Sequence, residues 1–179
     1  NQAVHPSIYY NASGWNGYNY WLLFEPYPNE NDDYEDPSIL VSNDGATWVI
    51  PAGGTNPIVW RGVDGGGFNS DGDLVMNTDT NTLYAMYRFT DDVTDLTDIV
   101  ITSTTNGTTW TTPATTTSFA DIDGATFASP SLIYESGVYY LWVVDTNADL
   151  LKYATSTDLM TFSTPTSLKF IPGIWHIDV

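Results

Sequence analysis

The chain has 179 residues, enough for one sizeable hydrophobic core and too few for two large domains. Hydrophobic residues make up 42% of it and aromatics 15%, which excludes a disordered chain. The wealth of Thr, Asn, Ser and Gly, with few good helix formers, favours strands joined by polar turns. Four Lys plus Arg against 22 Asp plus Glu leave a formal charge of −18, a surface that repels phosphate backbones and anionic membranes.

Nucleic acid is therefore excluded as a partner. No apolar run approaches the ~18 residues a bilayer span requires, so membrane insertion is not expected. With no cysteine there is no disulfide framework. The acidity itself has three readings: salt adaptation, solubility, or divalent-cation binding by Asp-rich loops.

In chain order, residues 5–10 (HPSIYY) and 18–24 (YNYWLLF) read as two strands joined by a turn at Gly17. An acidic loop follows, residues 28–37 (PNENDDYEDP), with five carboxylates in seven residues. A third strand, Ile39 to Val41, leads into the turn Ser42-Asn43-Asp44-Gly45-Ala46-Thr47-Trp48. The same succession returns. Residues 71–76 and 82–89 form a strand pair around Asn81, residues 99–101 a third strand, and Ser103-Thr104-Thr105-Asn106-Gly107-Thr108-Thr109-Trp110 the turn. It returns again with residues 129–134 and 138–144 around Gly137, then residues 151–154, then Ser156-Thr157-Asp158-Leu159-Met160-Thr161-Phe162.

Asx-Gly supplies a tight turn with positive φ, and the Trp or Phe after it is expected to be buried as a pin on the sheet. Four-stranded antiparallel units at this period are the blades of a β-propeller. The fold expected is all-β: blade 1 over about 1–60, blade 2 over about 61–120, blade 3 over about 121–172, and the start of a fourth over about 173–179, where His176-Ile177-Asp178-Val179 reads as a strand cut short. On this reading the chain is an excerpt of one propeller domain.

The cadence Pro-Ser-apolar-apolar-Tyr, Gly, Tyr-Tyr-Leu-Trp, Ser-x-Asp-x-x-x-Phe resembles the blades of five-bladed glycoside hydrolase family 43-like enzymes, which implies five blades for the whole. The run from Ser42 to Trp48 is similar to the Asp-box of sialidases, one residue shorter. The segment from His5 to Trp48 also resembles propeller proteins of tailed phages and their hosts.

The family 43 resemblance implies catalytic carboxylates on the innermost strands. His5, Asp71, Ser129 and His176 align in register, with Ser7, Asp73, Ser131 and Asp178 two residues on and thus on the same strand face. His5 stands where the family has its general base Asp, and Ser129 or Ser131 where it has its general acid Glu. Only Asp71 and Asp73 remain as catalytic candidates, both from one blade. A sialidase would have to draw its arginine clamp from Arg61 and Arg88. His5 and His176 are expected to meet at one funnel.

Further ligand-binding candidates are Asp178 and the loop aromatics Trp15, Tyr27, Tyr34 and Trp60, whose rings suit sugar faces. Asp32, Asp33, Glu35 and Asp36 form a candidate calcium site. The expected function is a non-enzymatic propeller module on a virion or in the extracellular space, a phage structural or host-recognition protein binding glycan and packing against other virion or surface subunits. The alternatives are a family 43-like hydrolase acting on a neutral polysaccharide and a purely architectural subunit.

Overall fold

The computed structural model describes residues 2–60, 66–94, 97–116 and 127–179. Among these the structure is β throughout apart from two short 3₁₀ turns, Pro28–Glu30 and Asp32–Tyr34. No helix among them is long and apolar enough to cross a membrane.

Three antiparallel sheets succeed one another along the chain. The first is β1 (Ala3–Trp15), β2 (Tyr18–Pro26) and β3 (Ser38–Ser42). The second is β4 (Gly67–Asn77), β5 (Thr82–Asp91), β6 (Thr97–Thr104) and β7 (Ala114–Thr115). The third is β8 (Phe127–Glu135), β9 (Val138–Asp145), β10 (Leu150–Ser156) and β11 (Thr166–Phe170).

Three details differ from the sequence reading. The first sheet has three strands, its fourth reduced to a single bridge between Val41 and Val49. In the other two the fourth strand begins after the turn aromatic, not on it. The residues from Trp175 to Val179 belong to no strand.

The sheets stack face to face, with β1 beside β4 and β4 beside β8. Alternation along β4 does this: Leu74 and Met76 enter the core shared with Trp21, Leu23, Ile39 and Val41, while Val75 enters the core shared with Leu132, Leu141 and Phe162. Each of these aliphatic side chains is worth ~1.5–3 kcal/mol when fully buried.

The repeated turn recurs down to its hydrogen bonds. The hydroxyls of Ser42, Thr104 and Ser156 each accept an N–H three residues on, from Gly45, Gly107 and Leu159, all at 2.9 Å. The Asp44, Asn106 and Asp158 side chains each accept the N–H groups two and three residues on, from Ala46 and Thr47, Thr108 and Thr109, Met160 and Thr161. The N–H groups of Thr47 and Ala46 hold the Asp44 carboxyl down to about 2. Of the three aromatics expected to be buried, Phe162 is and Trp48 and Trp110 are half-buried. Trp48 lies edge-on to Tyr20, which is itself only half-buried.

Gly107 and Gly45 both have positive φ, 74° and 72°. They differ in surroundings. A Cβ at Gly107 would run into the ring of Trp21, so the second sheet's turn seats directly on the first sheet's core, whereas a Cβ at Gly45 would meet Tyr20 at an ordinary 3.7 Å. Gly107→Ala is therefore expected to cost clearly more than Gly45→Ala, about 2–4 kcal/mol against about 1 kcal/mol. Equal losses in urea melts would contradict the close approach.

Candidate functional site

The innermost strands β1, β4 and β8 share one irregularity. Each slips register against its neighbour, between Val4 and Ser7, Ser70 and Asp73, and Ala128 and Ser131. At each slip one residue has left-handed backbone: His5 (φ 49°), Asp71 (φ 53°) and Ser129 (φ 51°). Such a bulge re-aims a side chain that the strand would otherwise point elsewhere. Here it brings the first two to one place.

His5 Nε2 lies 3.0 Å from Asp71 Oδ1, and its Nδ1 accepts the Asp71 N–H at 3.2 Å. The His176 ring lies 5.5 Å from the His5 ring, with its Nδ1 4.0 Å from the same Asp71 oxygen. His5, Asp71 and His176 each offer a ligand atom, all within 4.8 Å of one another, the one such group among the described residues. The trio lies where two cavities adjoin and lines both, one of about 760 Å³ reaching Asp73, Ser131 and Asp178, the other of about 250 Å³ reaching Tyr27, Glu35, Arg88 and Trp175.

Asp71 divides its carboxylate. Oδ2 lies 3.1 Å from Arg88 Nε and accepts the Ser129 N–H at 3.1 Å, leaving Oδ1 to the two imidazoles. Arg88 is held in turn by the Ser70 hydroxyl (3.0 Å) and the Phe127 carbonyl (2.8 Å). The other arginine considered, Arg61, lies outside the described residues.

Two further carboxyls face His5. Glu25 Oε2 is 3.6 Å and Glu35 Oε1 3.9 Å from its Nδ1. These are ion-pair separations, too long for hydrogen bonds. Glu25 is fully buried and neither of its oxygens has a hydrogen-bond donor. Burial pushes it up to about 7 against the pull of His5, and burial does the same to Glu35. Burial alone would lower His5, but its contact with Glu25 and the charges of Asp71, Glu25 and Glu35 raise it. Gly72, inside the bulge, leaves room for all this, since a Cβ there would strike the Glu25 carboxyl and Leu23.

Sequence reading missed Glu25, although the signal was present: it is the acidic member of an alternation, Trp21, Leu23, Glu25, whose other members are core.

The remaining candidates separate. Asp73, the other catalytic candidate, is held as a tie between sheets. It accepts the Ser7 hydroxyl (2.5 Å), the Leu74 N–H (2.8 Å) and the Leu132 N–H (2.7 Å), and so links all three sheets. Burial still pushes its carboxyl up to about 6. Asp178 is exposed and lines the larger cavity. Trp15 is corrected from ligand surface to core: it is 5% exposed and packs edge-on against Trp21.

Tyr27 is half-buried and lines the smaller cavity, whereas Tyr34 and Trp60 are exposed and line neither. The acidic loop does not gather into a calcium site. Asp32 and Asp33 face water on a 3₁₀ turn, Glu35 turns to His5, and Asp36 is buried with its Oδ1 taken by Asn69 (2.9 Å).

Raised carboxyls carry a sign. Glu25 and Glu35 hold their protons to about 7 in the fold but ionise near 4.5 when unfolded. The folded state thus binds protons more tightly over that window, and stability falls as pH rises through it. Raised His5 adds stability below about 6.5 that is likewise lost on going alkaline. Metal-free protein is therefore expected to melt lower at pH 8 than at pH 5, and Glu25→Gln to narrow that gap by roughly 3 °C. An unchanged gap in calorimetry would show that Glu25 is not a buried acid.

No family model matches the chain. Over 91 residues it is 36% identical to the A type blood N-acetyl-α-D-galactosamine deacetylase of Flavonifractor plautii, a match covering 51% of this chain and 12% of that protein. The crystal structure of an N-acetylgalactosamine deacetylase from F. plautii with blood group B trisaccharide superposes with a TM-score of 0.83 at 24% identity, over 94% of this chain and 54% of that one. Native Bacillus subtilis arabinanase Arb43A gives 0.64 at 14% identity, over 98% and 64%. A thermostable family-43 glycoside hydrolase gives 0.63 at 14%, over 93% and 54%. The chain thus spans about half the length of the deacetylase structure it matches.

The superpositions show the fold, an all-β arrangement of the family 43-like propeller type. The sequence match to the deacetylase corrects the expected function. The relatives are carbohydrate-active enzymes, which supports a glycan-acting enzyme over a virion structural module.

Proposed function

We propose that this chain carries the catalytic centre of a glycan-acting hydrolase that removes an acetyl group from an N-acetylated sugar with the help of a divalent cation. The observation that carries this reading is the convergence of His5, Asp71 and His176, two imidazoles and one buried carboxylate, beside Glu25 oxygens that no donor satisfies. Mixed nitrogen and oxygen donors of this kind suit zinc and its first-row neighbours. The deacetylase likeness in sequence and fold supports it from a second side.

Held by these three residues, a cation would supply a Lewis acid for the amide carbonyl. The protein's own groups have distinct tasks. Arg88 and the Ser129 N–H fix the far oxygen of Asp71 so that Oδ1 faces the site. Glu35, at the edge of the smaller cavity, holds a proton near neutrality and can pass one to a departing amine. Glu25, fully enclosed, acts on His5 instead of on substrate. Tyr27 and Trp175 line the same cavity and offer ring faces to a sugar.

The second reading is a family 43-like glycosidase, the alternative that the comparisons favour over a virion module. It needs two carboxyls about 5–9.5 Å apart across the scissile bond. Asp73 is engaged by three donors, and serines occupy the positions of the general acid. A five-bladed ring for the whole protein belongs with the proposal, because three sheets leave the ring open.

The test is acetate release from an oligosaccharide ending in N-acetylgalactosamine, set against release of sugar from an arabinan. Acetate release is expected to stop with a chelator and return with zinc or cobalt. His5→Ala and Asp71→Asn should each lower kcat/KM by about 100-fold or more. Chelator-insensitive release of sugar, with no acetate, would replace deacetylation by glycoside hydrolysis.

A further inference from the structure

The third sheet holds a serine where the first two hold His5 and Asp71. Ser129 has the same left-handed backbone at the same register slip, yet its hydroxyl turns to the chain's last residues. It donates to the Ile177 carbonyl at 3.2 Å and accepts the Ile177 N–H at 3.0 Å. One hydroxyl thus serves both polar groups of one peptide residue, as a partner residue in a ladder would.

The neighbour of Ile177 is His176. Its side chain is 64% exposed. His5 and Asp71 stand on strands whose paired residues flank them, Val4 and Ser7 in β1 and Ser70 and Asp73 in β4. His176 stands on a segment whose grip on the third sheet runs through Ser129, one residue away. Ser129 also donates its N–H to Asp71 Oδ2, so one residue touches the carrier of one candidate ligand and the carboxylate of another.

We propose that Ser129 is a positioning residue for His176, whose hydroxyl grips the Ile177 backbone and so holds the imidazole against Asp71 and His5. The inference rests on the cation-site reading above. Removing the hydroxyl would take both of these hydrogen bonds from the Ile177 backbone and loosen the seat of the imidazole beside it. The core would be untouched, because the segment from Trp175 to Val179 contributes no buried residue to it.

The experiment uses metal-free full chain and cobalt(II) alone, read by calorimetric titration and by the visible absorption of the bound ion. Ser129→Ala is expected to weaken cobalt binding about 10-fold and to shift the spectrum toward that of His176→Ala. In the His176→Ala background it should change neither, the signature of two residues acting through one another. Ile177→Pro, which deletes the N–H and leaves Ser129 in place, should reproduce the loss, and it carries the test if Ser129→Ala fails to fold.

Hydrogen exchange at the Ile177 amide should quicken in Ser129→Ala. Wild-type protein that binds no cobalt overturns the cation reading and this inference with it. Wild-type binding with Ser129→Ala unchanged, or with equal weakening in the His176→Ala background, overturns the positioning role alone.

Discussion

A strand forced to accommodate a left-handed residue within its ladder is the constraint on which the rest of this structure depends. In β1, β4 and β8 the ladder is interrupted at the same point, and His5, Asp71 and Ser129 take up backbone conformations that non-glycine residues rarely adopt. Each costs on the order of 1–3 kcal/mol and persists because the flanking pairs hold it. The gain is directional. Without the interruption, alternation would leave these side chains on a sheet face; with it, they turn out of the ladder toward one site.

The bonds that tie the sheets together run through the same region. Asp71 reaches Arg88 on its own sheet and Ser129 on the next. Asp73 reaches Ser7 on one side and Leu132 on the other. Asp71 divides its carboxylate within a single side chain: one oxygen holds the fold and the other faces the imidazoles. A buried cluster with this many carboxyls favours protons or a cation as company.

Much of the architecture was legible from the sequence because its signals are local. The Ser42, Thr104 and Ser156 turns announce themselves by composition, and the paired strands by alternation. Register between repeats was legible too, so the meeting of His5 with His176 could be expected even though residues 175–179 form no strand. What escaped depends on which partner each side chain turns to. Nothing near Trp15 says that Trp21 will cover it, nothing near Asp73 says that Leu132 will claim its second oxygen, and the crowding of Asp32 to Asp36 hid the fact that a turn sends its members in opposite directions.

One feature of the pairing reaches further. Directly across from Val4, Ser70 and Ala128, each one residue before the bulge, stand Glu25, Arg88 and Val144. These are equivalent sites on three copies of one unit, and they carry an acid, a base and a neutral side chain. The scaffold is nearly symmetric while the chemistry written on it is not. Repetition supplies identical sockets around a shared axis, and divergence at a single socket changes the sign of the charge presented there without redrawing any strand. A molecule built this way can explore new reactions by exchanging one residue per copy, its backbone serving as a fixed stage on which different casts assemble.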